Sequence, residues 1–204
     1  LKEDCEKYKI DLTIISEKKY PHCNTKITSN YNLERTNDHN LGVSGGHIRM
    51  LKKWIDEDNS EYAFFCEDDI DFSICDHWKF NWDEFMKKLG NNWSIVQTVV
   101  IVDNCDKLNY DLTPIQWYEW SVTGYLIKRE YAKYLIELTY ISDTEIFLDL
   151  PYGNNITVPD LPEDLIYRHG IFYNKSFAYP LSIPLFVEKE KYNSDSYHIN
   201  STKH

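Results

Sequence analysis

The stretch Tyr62-Ala-Phe-Phe-Cys-Glu-Asp-Asp69 decides the fold class. Tyr62 to Cys66 is a short apolar run of the kind that forms a buried strand, and it stops abruptly at three acids, so a strand delivers carboxylates to its C-terminal end. Upstream, Gly42-Val-Ser-Gly-Gly46 opens a predicted helix over His47 to Asp56, where Ile48, Leu51 and Ile55 recur at helical spacing and Ser44 is placed as a cap. Downstream, Asp76 to Leu89 reads as a helix with Trp78, Trp82, Phe85, Met86 and Leu89 approximating one face, ended by Gly90-Asn-Asn92. Trp93 to Val102 and Trp120 to Lys128 read as strands, the second with Gly124 at a close-approach position. Arg129 to Thr139 is a predicted helix, and Leu161 to Tyr167 a short one. At the start of the chain Lys9 to Ser16 reads as a further buried strand, whereas Thr25 to Asn40 is weakly patterned. Strand and helix in alternation predict an α/β sheet.

The chain has 204 residues and no internal repeat, low-complexity tract or Gly/Pro linker, which fits one domain over 1–204. It starts at Leu1 without an initiator Met, and a segment of a longer protein is the expectation that follows. Asp+Glu 33 against Lys+Arg 22 leave a net charge of −11, which repels nucleic-acid backbones; no nucleic-acid partner is expected. No stretch approaches the roughly 18–20 consecutive apolar residues of a membrane span. Five cysteines, an odd number without CxxC spacing, argue against a disulfide framework or a zinc site and for a reducing, cytoplasmic setting. Sequons begin at Asn92, Asn155, Asn174 and Asn200, a frequency that an Asn-rich chain reaches by chance. The Asn-, Lys-, Ile- and Tyr-rich composition suggests an AT-rich genome such as that of a large DNA virus, hence a host-cytoplasm setting.

Glu67, Asp68 and Asp69 repel one another and lose hydration together, so solvent or a cation must offset their charge. Carboxylates completed by waters and substrate phosphates describe a Mg²⁺ or Mn²⁺ site that handles diphosphates. The alternative is a solvated acidic loop.

Gly42-x-x-Gly-Gly-His47-x-x-x-Leu51, a helix, and an apolar strand into Glu67-Asp68-Asp69 together resemble the pattern of glycosyltransferase family 25, known from lipopolysaccharide and collagen galactosyl transfer. Trp120-Ser-x-Thr-Gly-Tyr-Leu-Ile127 is similar to the family's Gly-Tyr-x-Ile/Val segment, and Pro162-Glu-Asp164 to its Pro-x-Asp element. The lead-in before Leu41 is shorter than the family's. The resemblance spans roughly Gly42 to Tyr167. It implies a glycosyltransferase A-type fold with a mixed central sheet flanked by helices, a nucleotide-sugar donor, foremost a UDP-sugar, inverting transfer, and a glycan or glycoprotein acceptor.

In that frame Asp69 is the first candidate metal ligand and Glu67 the next, with Asp68 touching donor sugar or ribose. Asp164 or Glu163 is the candidate general base for the acceptor hydroxyl, or else an acid that stabilises a helix start. His47 is a candidate for donor-phosphate contact, or a structural hydrogen bonder. Arg49 and Lys52 pair with diphosphate or with neighbouring acids. His198, in the polar tail, is the candidate that completes the metal shell, as a C-terminal His does in some metal-using glycosyltransferases. Trp117, Tyr118 and Trp120 offer rings for acceptor stacking or for the core. The chain shows no GxxxxGK[ST] loop, and Asp69-Ile-Asp71-Phe-Ser73 imitates the haloacid-dehalogenase motif only loosely. The rival class is a non-catalytic glycosyltransferase-like module that binds a sugar or a partner.

Overall fold

The computed structural model describes residues 1–14, 26–30, 33, 38–99, 101, 121–152, 155–157, 162–168, 178–180 and 185–188. Its centre is a mixed four-stranded sheet in the order β10-β4-β5-β2, built from β2 (Tyr62–Cys66), β4 (Ile95–Gln97), β5 (Gly124–Lys128) and β10 (Ala178–Pro180). β5 runs antiparallel to both β2 and β4, with Cys66 opposite Gly124 and Gln97 opposite Tyr125, while β10 runs parallel to β4. A strand covered on both faces needs apolar residues at every position, and this is why Tyr62–Cys66 and Gly124–Lys128 read as continuous runs rather than alternations. Ile95, Tyr125, Ile127, Ala63 and Phe65 face one core cluster, while Val96, Leu126, Phe64 and Cys66 face the other.

On the first face lie α2 (Asp38–Glu57) and α4 (Arg129–Thr139), with Ile48, Leu51, Tyr131 and Leu135 fully buried. Beside them, β1 (Lys26–Thr28), β6 (Tyr140–Ser142) and β7 (Glu145–Phe147) form a three-stranded sheet in the order β1-β7-β6. The second face is covered by α1 (Lys2–Tyr8), by α3 (Trp82–Leu89) and by the two-stranded pair of β3 (Ile70–Asp71) with β11 (Val187–Glu188). The strands β8 (Leu150–Tyr152) and β9 (Asn155–Thr157) make a separate antiparallel pair.

The mixed α/β architecture agrees with the alternation in the sequence, and α4 occupies the expected Arg129–Thr139. Three expectations are corrected. The first concerns α2, which starts at Asp38 rather than at His47, so Gly42, Gly45 and Gly46 lie inside it and Ser44 is a buried helical residue, not a cap. Leu41, Ser44, Ile48 and Leu51 continue one inward face across the glycines, and this burial outweighs the glycine penalty. Gly45 is where α2 crosses the smaller sheet: a Cβ there would stand 3.5 Å from Ile27 Cδ1 and 3.7 Å from Ile146 Cδ1.

The second correction is the helix expected from Asp76. A 3₁₀ segment occupies Ser73–His77, and α3 begins only at Trp82, where Asn81 and Glu84 form a reciprocal capping box at 2.9 and 3.0 Å. Gly90 ends this helix with φ 69°, as expected. The third correction is the strand expected over Lys9–Ser16: α1 comes first, Lys9 closes it in the left-handed conformation, and residues 10–14 join no sheet. Ile10 and Leu12 satisfy the apolar alternation by packing on the second core without a backbone ladder. Residues 15 and 16 lie outside the described residues.

The last turn of α2 contains no basic residue. Arg129, the first residue of α4, supplies the missing donors: Nη1 to the Ile55 carbonyl at 3.3 Å, Nη2 to the Asp58 carbonyl, and Nε to the Ser60 carbonyl at 2.8 Å. Its guanidinium also stacks 4.9 Å from the Trp54 ring. No helix among the described residues is long and apolar enough to cross a membrane.

Candidate functional site

The acids occupy the place the sequence assigned them. Glu67, Asp68 and Asp69 form a turn between β2 and β3, and the Glu67 N–H extends the β2–β5 ladder by donating to the Thr123 carbonyl at 2.9 Å. Asp68 is exposed, Glu67 and Asp69 are half-buried, and the Oδ1 oxygen of Asp69 is shielded from solvent.

Glu67 is engaged from two sides. Thr123 Oγ1 donates to its Oε2 at 3.3 Å, and His47 Nε2, projecting from α2, stands 3.6 Å from its Oε1. The buried His47 ring is itself oriented, because its Nδ1 lies 2.9 Å from the Tyr125 hydroxyl. Burial, assisted by the Glu67 charge, raises the Tyr125 phenol well above its ordinary value and keeps it protonated. The bond orients the ring so that Nε2 faces Glu67. For Glu67, burial works to raise the carboxyl, but His47 and the Thr123 hydroxyl outweigh it and hold the group below the usual glutamate value.

Glu163 reaches the same region from the far side. Its carboxylate, in a residue only 6% exposed, accepts the Ser121 N–H at 2.9 Å. The Ser121 carbonyl accepts from Gln97 Nε2 at 2.8 Å and from the Tyr167 hydroxyl at 3.0 Å, and the Ser121 hydroxyl oxygen accepts the Thr123 N–H at 3.1 Å. Tyr131, on α4, ties down this corner by donating to the Ile166 carbonyl at 2.9 Å. Residues 121–125 are thus the hub on which His47, Glu67 and Glu163 converge.

Asp164 is half-buried and opens a π-helical turn over Asp164–Arg168. Arg49 is half-buried and acts electrostatically on the Tyr140 hydroxyl. Lys52 pairs with Asp56 one turn along α2 and lies 5.1 Å from the Tyr140 ring. His198, Trp117, Tyr118 and Trp120 lie outside the described residues.

Asp68 also belongs to the wall of a cavity of about 550 Å³, shared with Cys5, Leu12, Trp54, Phe64 and Cys66. The cavity separates the N-terminal segment from β2 and the end of α2, and apolar residues make up most of its lining. Burial pushes the Cys66 thiol in this wall up to about 12, so it remains protonated at neutral pH.

Reading along the chain missed Ser121, Thr123, Tyr125 and Tyr167 as site residues. Ser, Thr and Tyr were visible around Gly124, but their burial and mutual contacts arise from tertiary packing. No protein-family model matches the chain, and no curated protein matches it.

Proposed function

We propose that the chain is a metal-dependent glycosyltransferase of the A-type fold, which moves a sugar from a nucleotide-diphosphate donor, a UDP-sugar foremost, to a hydroxyl of a glycan or protein-linked acceptor. The observation that carries the reading is the acidic turn at the C-terminal end of β2 with Asp68 in the wall of a cavity of about 550 Å³. That volume falls within the ~300–1,000 Å³ usual for small-molecule sites, and the carboxyl end of a sheet strand is where α/β folds place ligands. The motif resemblance, from Gly42 to Tyr167, supplies the choice of chemistry.

The residues present suit a hard divalent ion. Asp69 and Asp68 would hold it through carboxylate oxygens, in a class of site that takes one or two carboxylates and completes its shell with water and phosphate. Glu67, held by His47 and Thr123, keeps the turn in place beside them. When bound, the ion supplies charge neutralisation at the diphosphate leaving group. Taking the proton from the acceptor hydroxyl falls to Asp164, since the Glu163 carboxylate is buried against Ser121.

A non-catalytic sugar- or partner-binding module is the second reading. Among the described residues no group of three or more His, Cys, Asp or Glu side chains is arranged to hold a metal.

The test is thermal shift and donor hydrolysis with UDP-, GDP- and CMP-sugars, in Mn²⁺ and in EDTA. A donor at about 100 times its Kd stabilises the native state by about 2.7 kcal/mol. The transferase reading expects this shift for one donor, only with Mn²⁺, and its loss in Asp69→Ala. A shift without turnover in the presence of acceptors selects the binding module, and silence across the panel removes the donor reading.

A further inference from the structure

Ser121 is the only non-glycine residue besides Lys9 with a positive φ among the described residues, and its value of 99° lies beyond the left-handed helical well. Only glycine adopts such a backbone without cost, so something must hold a serine there. Lys9 has an ordinary explanation, a left-handed helix end at φ 57°. Ser121 has no such role. Its surroundings instead fasten every polar group that it has: the N–H to Glu163, the carbonyl to Gln97 and Tyr167, and the hydroxyl oxygen to the Thr123 N–H. Gln97 and Tyr167 are fully buried, Thr123 is 2% exposed, and Ser121 and Glu163 are 6% exposed.

A continuous path therefore runs from Glu163 through Ser121 and Thr123 to the carboxylate of Glu67, where the Thr123 hydroxyl donates and the Thr123 carbonyl accepts the Glu67 N–H. We propose that Glu163 is a positioning residue rather than a general base: by accepting the Ser121 N–H it clamps Ser121 at positive φ, and the clamped turn sets Thr123 against Glu67 at the end of β2. A general base must meet the acceptor hydroxyl, and a carboxylate enclosed by protein and bonded to a backbone N–H is ill-placed to do so. The bearing of the clamp on the acidic turn rests on the metal-and-donor reading above, whereas the clamp itself does not.

The test is a cycle in the 204-residue chain of Glu163→Ala, Ser121→Gly and the double variant, with Glu163→Gln beside it. Glycine takes positive φ freely, so the clamp becomes dispensable once Ser121 is replaced. Glu163→Ala alone is expected to lower Tm by about 3–10 °C through the orphaned N–H and the released strain. In the Ser121→Gly background the same change is expected to cost less than half as much. Glu163→Gln, whose amide oxygen still accepts the N–H, is expected to stay near the wild-type Tm. Mn²⁺ binding, read by the electron spin resonance of the free ion, is expected to weaken in Glu163→Ala and to recover in part in the double variant.

An equal loss of Tm in both backgrounds overturns the clamp. So does a Glu163→Gln variant that keeps the wild-type Tm yet loses sugar transfer as fully as Glu163→Ala, which is the behaviour of a base. If Glu163→Ala yields no folded protein, Glu163→Gln decides: a wild-type Tm supports the clamp, and unfolding or a large fall refutes it. If the wild-type chain binds no Mn²⁺, the metal reading fails, while the Tm cycle still decides whether Glu163 holds Ser121.

Discussion

The imidazole of His47 stands 3.6 Å from the carboxylate of Glu67, joining the middle of α2 to the turn that follows β2. The distance is that of an electrostatic contact rather than a close hydrogen bond, and the closer tie of the ring is to Tyr125, at 2.9 Å. His47 is therefore held by one neighbour and aimed at the other.

Removing the ring should expose both relationships. His47→Ala leaves the buried Tyr125 hydroxyl without its partner and opens a void beside the Tyr125 ring, so a loss of about 2–4 kcal/mol in urea unfolding is expected. In a Tyr125→Phe background the same substitution should cost about 1 kcal/mol less, because the hydroxyl is no longer there to be orphaned. Strict additivity of the two changes would show that the bond contributes nothing.

Two glycines should respond to alanine with opposite signs. At Gly46, inside α2, nothing lies within 4 Å of a new Cβ, so Gly46→Ala gains helix propensity and should stabilise by about 0.8 kcal/mol. At Gly124 the Cβ would meet Thr98 Oγ1 and Val99 Cγ2 at 3.0 Å and Ile70 Cδ1 at 3.1 Å, and Gly124→Ala should destabilise by about 1–3 kcal/mol. Melting temperatures of the two variants that move in the same direction would contradict this packing.

The thiol of Cys75 should be sluggish at neutral pH. Burial foremost, and then the adjacent Asp76 charge, push it up to about 11. A raised thiol value keeps the unreactive protonated form through neutrality, and the thiolate fraction then grows about tenfold per pH unit until pH reaches that value. Iodoacetamide labelling of the Cys75 peptide, followed by mass spectrometry, should therefore keep rising from pH 8 to 10. An ordinary thiol, near ~8.5, would level off above about pH 9, and a plateau there would refute the assignment.

The elements legible in the sequence were those whose pattern is local. Tyr62–Cys66 and Gly124–Lys128 carry strand character in their own residues, and α4 carries its helical period from the first residue to the last. α2 was cut short because three glycines in five residues resemble a loop, although Leu41 upstream already belongs to the inward face. The start of α3 did have a signal, Asn81 three residues before Glu84, but the aromatic residues from Trp78 onward masked it. Lys9–Ile14 has the composition of a strand, yet strand formation also needs a partner edge, which no stretch of sequence can supply alone. Within the site, Glu67, His47 and Glu163 could be picked out because charged and imidazole groups stand out among apolar neighbours. Their convergence on Ser121–Tyr125 depends on β5 lying beside β2 and on the 162–168 segment packing beneath it, relations that span 42 residues for Ser121 and Glu163 and 78 for His47 and Tyr125.

The Arg129 guanidinium that closes α2 comes 71 residues after the Asp58 carbonyl it satisfies. On a ribosome adding about 5–20 residues each second, the end of that helix therefore waits several seconds for its seal. During this interval the Ile55 and Asp58 carbonyls lack the Arg129 donors, and the aromatic face around Trp54 lacks the guanidinium that stacks on it. Completion of α2 thus waits on the arrival of β5 and α4, and a nascent chain halted before residue 129 would carry a frayed helix end beside a half-built sheet.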